Sequence, residues 1–592
     1  MSSWRTPPEK IPESEIKFTH ETDVLVVGLA HAGSAAVRAA AEAGAKVIGI
    51  EEKTEKRYSV WGADYGHFNS KFLESRGVPK VDPIEYYNEM MRRSGGRANP
   101  GLVMKFCQNA GSAFDWYTDM VEDFSTVTIA FWPGGKKFDG EMAGYKFWPG
   151  TAKFHRPGGF GPPPGDGKGG PGGPGGPGGP GGPDGPGGPG EKPDLPGGVP
   201  VEGEPINDGF GPVETPAADI LEQVKTQPHL LALCKANQQK AIDLGAEMFY
   251  GMAAVDIEKD GQRVTGIIAK DHEGAYHRFK ASRSVVLAAG GFGGNPEMVK
   301  DLLPDLVGML TSEEKLPKSM GRSGMALKLG VWAGGRLEAG PIAIMGGNFN
   351  TPRGFNCVHG LLWLDPRGKR FCNECFGDPV ITGFQGNQMK HGMYYNIFDS
   401  DVLEDMQWAV PAHEGFDNTD AQYIRNVVVA IEQAKAAGKG GAVSRAPNGP
   451  VRIVCGNDME ELLDNAELTG QLRENVKNSI LRYNEICQKG RDDDFGKDAK
   501  LLRPLDKWPL FIQFNEFNYL GRTMCTCGGL LTDETQNVLD DNYDPIPGLY
   551  ATGNCCGRRY GPQYSTPTAG LSIGMCVTLG REAGKEAAQT NE

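Results

Sequence analysis

One segment constrains the fold more than any other: DVLVVGLAHAGSAAVRAAAEAGAKVIGIEE, from Asp23 to Glu52. An apolar, valine-rich run enters a glycine turn, a stretch of small residues at helical spacing follows, and a second apolar run ends in acid. The order is strand, tight turn, helix, strand. In such a unit the backbone N–H groups of the turn and the helix N-terminus meet a pyrophosphate, and the acid takes ribose hydroxyls. Gly28, Ala30 and Gly33 would form the turn and Glu51 would be the acid. Ala30 stands where a second glycine is usual, which adds one methyl at the approach of the pyrophosphate. Far along the chain PGLYATGNCCG, Pro547 to Gly557, again carries an apolar run into glycine. The two segments predict one dinucleotide domain assembled from both ends of the chain.

A length of 592 residues is enough for two domains with a large core. A formal net charge of -14 and a pI near 5.4 argue against a nucleic-acid or anionic-membrane partner. There is no apolar run long enough for a membrane span. The opening MSSWRTPPEKIPESEIKF is polar and has no apolar signal core, so a cytoplasmic enzyme is expected. Twelve cysteines in such a chain read as reduced thiols. Cys372 with Cys375, Cys525 with Cys527, and Cys555 with Cys556 are clustered, but none fits an iron–sulfur run or a C-x-x-C-H haem site. No metal is expected.

Composition divides the chain into a polar arm (1–20), a first part of the dinucleotide domain (21–335), a mixed segment (336–520) and a second part (521–592). A glycine–proline insert of about residues 156–213 contains GGPGGPGGPGGPGGPDGPGGPG, Gly169 to Gly190, and reads as a flexible, polyproline-like surface loop. One long helix is expected over roughly Ala218 to Leu244, and Asp260-Gly261 marks a hairpin turn. GRSGMALKLGVWAGG (Gly321 to Gly335) reads as a helix of small residues, and GLLWLDPRGKRFCNE as a hairpin-like piece.

Six segments, in order, resemble the fumarate reductase and succinate dehydrogenase flavoprotein superfamily, which also holds the 3-ketosteroid dehydrogenases. They are VLVVGLAHAGSAA with Glu51, VVLAAGGFGGN (Val285 to Asn295), GKRFCNE (Gly368 to Glu374), GGLLTD (Gly528 to Asp533), IPGLYATGN (Ile546 to Asn554) and GLSIGMCVTLGREAG (Gly570 to Gly584). The resemblance implies an α/β fold: a Rossmann-like FAD-binding domain split along the chain, with an inserted α+β capping domain over 336–520. It implies that Gly28, Ala30, Gly33 and Glu51 hold the FAD diphosphate and ribose, with Gly290 lining the diphosphate and Ala254 on the adenine side. Gly62 and Ala63 would lie by the flavin, Gly553 and Asn554 by the ribityl chain, and Leu571, Ser572 and Ile573 by the flavin pyrimidine. A helix N-terminus there would stabilise the reduced, anionic flavin. Covalent members carry a histidine after the second strand; EEKTEKRYSVWGAD has none, so FAD is expected to be non-covalent.

The substrate side departs from the dicarboxylate reductases. Their pattern H-T-M-G-G is Cys525-Thr526-Cys527-Gly528-Gly529 here, and Cys375-Phe376-Gly377-Asp378 follows the R-F-x-N-E motif where they place an arginine. A site that clamps two carboxylates needs bidentate cations. Thr526 to Leu530, Thr552 to Asn554 and Gly570 to Gly574 are more similar to the ketosteroid dehydrogenases. That similarity implies that Gly570 gives a backbone N–H, and Tyr564 a phenol, to a substrate carbonyl. The implied reaction is reduction of a C–C bond next to a carbonyl, or the reverse desaturation, with a hydride passing through flavin N5 and an acid or base serving the neighbouring carbon. His67, Tyr65 and Tyr560 are candidates for the proton. The alternatives are a dicarboxylate reductase using Arg353, Arg370, Arg558 or Arg559, and a flavin electron-transfer subunit. There is no second dinucleotide motif, so electrons are expected from free reduced flavin or a donor protein rather than from NAD(P)H.

Overall fold

The computed structural model describes residues 3–60, 62–130, 132, 140–142, 144–154, 217–304, 323–345, 361–374, 394–405, 421–446, 449–515 and 525–590. The glycine–proline tract, Gly321, Arg353 and the stretch from Cys375 to Asp378 lie outside them.

Five parallel strands form the centre: β1 (Ile16–Val27), β2 (Val47–Glu51), β3 (Glu247–Tyr250), β4 (Tyr276–Leu287) and β5 (Pro545–Ala551). Their spatial order is β5–β4–β1–β2–β3. Val24 to Val27, Ile48, Ile50, Val285 to Leu287, Leu549 and Ala551 are all buried, because both faces of the sheet are covered. β5 comes from the far end of the sequence, yet Leu549 to Ala551 pair with Val285 to Leu287. The last helix (Leu571–Gln589) lies against the first α-helix (His31–Glu42). A Cβ on Gly584 would come within 2.3 Å of the Ala36 carbonyl oxygen, so the two backbones touch where no side chain fits. The fold is α/β, with its dinucleotide domain built from both ends of the chain.

Strands Met252–Asp260 and Arg263–Asp271 form the antiparallel hairpin expected around Asp260-Gly261, and the second of them pairs with β4. Two expectations change. The helix foreseen over 218–244 is two helices, Ala217–Thr226 and Leu230–Asp243. Pro228 lies between them; it lacks the N–H a continuous helix needs and biases its neighbour away from helical backbone. The N-terminal residues are no loose polar arm. β1 starts at Ile16, and Trp4 is buried with its indole N–H donating to Asp301 at 2.9 Å. Arg5 also pairs with Asp301, and Arg278 with Glu13.

Within 361–515, a second, antiparallel sheet has the order Leu362–Leu364, Tyr394–Phe398, Leu510–Asn515, Gly449–Gly456, Ala442–Ala446. Helix Ala421–Ala437 covers one face, and helices Met459–Asn465 and Gly470–Lys489 the other. Arg370 of the GKRFCNE motif lies inside this unit, bonded to Glu374 (2.8 and 2.9 Å) and to Asp492 (2.8 Å). Lys497, also buried, is 3.4 Å from Glu374. The motif holds this α+β unit together. Among the described residues no helix is long and apolar enough to cross a membrane, and no cluster of His, Cys, Asp or Glu suits a metal.

Candidate active site

The carboxyl ends of the parallel strands, where open α/β sheets bind ligands, carry most of the expected residues. The turn after β1 is drawn tight by Gly28 N–H donating to Ile50 O at 2.8 Å. A Cβ on Gly33 would lie 1.8 Å from Gly28 O, so the helix start can approach the strand only with glycine there. Ala30 caps the first helix without a side-chain bond, which leaves first-turn N–H groups for an anion. Glu51 accepts from Leu29 N–H (3.0 Å) and Lys53 N–H (3.1 Å). Both bonds orient its carboxylate, and each oxygen keeps a second lone pair.

The far end of the chain closes onto this turn. A Cβ on Gly553 would be 2.8 Å from the Ala32 Cβ, and Asn554 Oδ1 lies 3.4 Å from Ser572 Oγ. Gly62 faces Ile573, whose Cδ1 would be 2.5 Å from an added Cβ, and Ala63 O accepts from Phe154 N–H. Gly570 O accepts from Gly66 N–H in the strand Asp64–Gly66, at 2.9 Å. In surroundings otherwise largely buried, Ala30, Glu51, Gly62, Ala63, Gly290, Asn554 and Ile573 keep partial or full exposure and mark the candidate cleft. Ala254 sits apart from its rim, in the apolar layer with Val27, Ile48 and Ile50.

The start of the last helix differs from expectation. Ser572 N–H does not face outward; it donates to Tyr564 Oη at 2.6 Å. Ile573 N–H is used by Gly570 O at 3.2 Å. Of this turn, Gly570 and Leu571 N–H donate to no atom of the described residues. Tyr564 is wholly buried, and burial holds its phenol well above the ordinary tyrosine value, so it is a neutral O–H. Its ring meets Tyr560 edge-on at 4.7 Å. Cys525, Cys527 and Cys556 share the apolar cluster around these two rings.

Of the proton candidates, His67 is withdrawn. It stacks on Phe114 at 3.8 Å, its Nε2 is 2.7 Å from Ser70 Oγ, and burial pushes it down to about 3. Tyr65 is equally enclosed, against Phe114 and Tyr117. Tyr560 Oη is buried with no hydrogen-bond partner among the described residues, as are Asp64 Oδ1, Thr552 Oγ1 and Thr566 Oγ1. Of the relocated-arginine candidates, Arg370 is spent on Glu374 and Asp492, and Arg559 is fully buried. Arg558 keeps partial exposure; its N–H donates to Glu338 and its carbonyl accepts from Asn99 N–H.

Sequence reasoning missed Glu338 altogether and the roles of two residues it had named, Thr526 as part of a motif and Arg559 as a substrate cation. Thr526 Oγ1 accepts Phe292 N–H at 2.9 Å and fastens the AAGGFGG loop. Glu338 clasps Gly529 N–H (2.8 Å) and Arg558 N–H (3.0 Å), and burial pushes its carboxyl up to about 7. Arg559 backs onto Asn554 at 2.7 Å. A signal existed for the last: Arg558 and Arg559 are the only charged residues from Pro545 to Gly580.

The family described as FAD binding domain matches residues 23–571. The chain belongs to this family. The cleft suits its cofactor: Gly290 has open space where a Cβ would stand, and Asp64 Oδ1 and Thr552 Oγ1, on segments that meet there, have no hydrogen-bond partner among the described residues. Vinyl phenol reductase of Lactiplantibacillus plantarum is 28% identical over 60% of this chain and 70% of its own length. Urocanate reductase of Eggerthella lenta is 24% identical over 99% of this chain and 78% of its own. Among solved structures, 3-ketosteroid-Δ4-(5α)-dehydrogenase from Rhodococcus jostii RHA1, in complex with 4-androstene-3,17-dione, matches 97% of this chain and 98% of its own with a TM-score of 0.60. At 20% identity that likeness speaks for the fold. The chain is an FAD-dependent oxidoreductase, as the six motifs indicated.

Proposed function

We propose that this enzyme reduces, or in reverse introduces, a carbon–carbon double bond adjacent to a carbonyl in a small molecule. Gly28, Ala30, Gly33, Glu51 and Gly290 would hold the diphosphate and ribose of non-covalent FAD. Gly62, Ala63, Gly553, Asn554 and Leu571 would meet its flavin half, and Ala254 would back the adenine side. Bound FAD supplies a two-electron hydride exchange with one carbon of the substrate bond. The observation that carries the reading is the Tyr564 phenol seated on Ser572 N–H, with Gly570 N–H beside it at the start of the same helix.

In this arrangement Tyr564 spends a lone pair on the helix N-terminus, which polarises its O–H as a donor. That O–H and the Gly570 N–H would bind the substrate carbonyl oxygen, where negative charge grows as the adjacent bond reacts. Tyr560, whose ring meets Tyr564 and whose Oη, like that of Tyr65, has no partner among the described residues, would serve the proton at the second carbon. The unit over 361–515 would exclude water. The names of the vinyl phenol and urocanate reductases support the double-bond chemistry. Arg370 and Arg559 are withdrawn and offer a diacid no clamp, and Arg558 is the described candidate that keeps partial exposure.

The test is anaerobic. The flavin is reduced with a viologen dye, and enones, cinnamate-like acids and steroids are screened for reoxidation. Saturable reoxidation by at least one class is expected. Reoxidation by none, with rapid electron loss to a partner protein, would make the chain an electron carrier; brisk turnover with NADH alone would overturn the expected electron source.

A further inference from the structure

Arg559 is fully buried, and among the described residues none of its bonds goes to a carboxylate. Nη2 donates to Asn554 Oδ1 at 2.7 Å, Nε to Cys556 O at 3.2 Å, and Nη1 to Cys576 Sγ at 3.8 Å. Its guanidinium carbon lies 5.0 Å from the Tyr560 ring centre. The acid facing this region is Glu338, whose two oxygens are taken by Gly529 and Arg558 N–H groups. Stripping a cation of water without a counter-charge is costly. The arrangement makes sense if negative charge arrives with a ligand.

Asn554 carries the effect outward. A guanidinium offers only donors, so the Asn554 atom it meets must be the amide oxygen. The same oxygen lies 3.4 Å from Ser572 Oγ and 3.7 Å from Cys576 Sγ. With its oxygen held inward, the amide turns its NH2 donor away from Arg559, and Asn554 is partly exposed on the cleft.

We propose that Arg559 is a positioning residue that acts through Asn554 to favour the reduced, negatively charged state of bound FAD. This rests on the reading that places Asn554 beside the cofactor. Neutral oxidised flavin that takes up two electrons and one proton gains one net negative charge. The electrons come from the external donor and leave to the unsaturated substrate, so Arg559 shifts the equilibrium and leaves the stoichiometry alone. A buried cation behind an oriented donor stabilises the charged state selectively, because the low dielectric strengthens the attraction.

The experiment measures the midpoint potential by dye equilibration, and the sulfite dissociation constant, in FAD-loaded wild type, Arg559→Met, Arg559→Lys and Asn554→Asp. In Arg559→Met and Asn554→Asp the preference for reduced over oxidised flavin should fall about tenfold or more, which is about 30 mV for a two-electron couple. Sulfite should bind correspondingly more weakly, and Arg559→Lys, which keeps the charge, should stay within about threefold of wild type. Asn554→Asp is isosteric and pairs with Arg559, so it decides the matter if Arg559→Met does not hold FAD. A wild-type potential in either loaded variant overturns the proposal, and so does failure of Asn554→Asp to hold FAD. Wild type that binds no FAD would instead remove the functional reading itself.

Discussion

Arg370 and Arg559 are both withdrawn from water, yet their surroundings differ in kind. Arg370 lies between two carboxylates, with Lys497 close by, and its charge is answered inside the α+β unit. Arg559 lies among a carboxamide, a thiol, a backbone carbonyl and an aromatic ring. Around the cleft, Asp64 Oδ1, Thr552 Oγ1, Tyr560 Oη and Thr566 Oγ1 have no hydrogen-bond partner among the described residues. Arg370 belongs to a scaffold in which carboxylates answer its charge; Arg559 is a buried cation with no carboxylate partner among the described residues.

The largest effect expected from breaking this contrast is in the scaffold. Arg370→Met would leave Glu374 and Asp492 without their shared cation, a loss of roughly 3–5 kcal/mol. Calorimetry should show the α+β unit melting early while the protein still binds FAD. Equal loss of both would mean that the two regions unfold as one.

Acid should separate the regions next. His67 is held down at about 3, against an ordinary 6.5, so the stability its neutral form supports is whole above 6.5 and is lost as pH falls toward 3. Glu338 has the opposite sign: its carboxyl, raised to about 7 from an ordinary 4.5, gains stability as pH falls through that range. The two offset each other down to about pH 4.5 and His67 acts alone below it, for a loss on the order of a few kcal/mol. The α+β unit should persist further, because the Arg370 guanidinium helps hold Asp492 at about 2 despite burial. Chemical denaturation between pH 5 and 3 checks this, with His67→Gln expected to flatten the slope.

Tyr564→Phe should have the smallest effect on stability, about 1 kcal/mol for the bond to Ser572 N–H, while turnover falls roughly 100-fold. The flavin spectrum should not change. Unaltered turnover would reduce Tyr564 to a helix cap.

What the sequence disclosed follows the range of the forces involved. The strand–turn–helix from Asp23 to Glu52 and the Asp260-Gly261 hairpin are set by neighbours a few residues apart, and periodicity exposes them. The first expectation for the helix start at Leu571 failed over Ser572, because its N–H is claimed by a phenol eight residues earlier in the chain. Trp4 looked like part of a loose arm because its partner, Asp301, is 297 residues away. His67 was a proton candidate by residue type alone, and the stacked Phe114 ring, the Ser70 contact and its burial withdraw it. Arg559 was visible as an isolated charge in an uncharged stretch, but its burial without a carboxylate emerges only when the two ends of the chain meet.

That meeting is most directly tested by the absorbance spectrum of the purified chain, followed by precipitation in acid. One FAD per chain is expected, yellow while bound and fully released into the supernatant on denaturation. Colourless protein whose melting temperature does not move in excess FAD would contradict the shared site, and colour retained in the precipitate would contradict non-covalent binding.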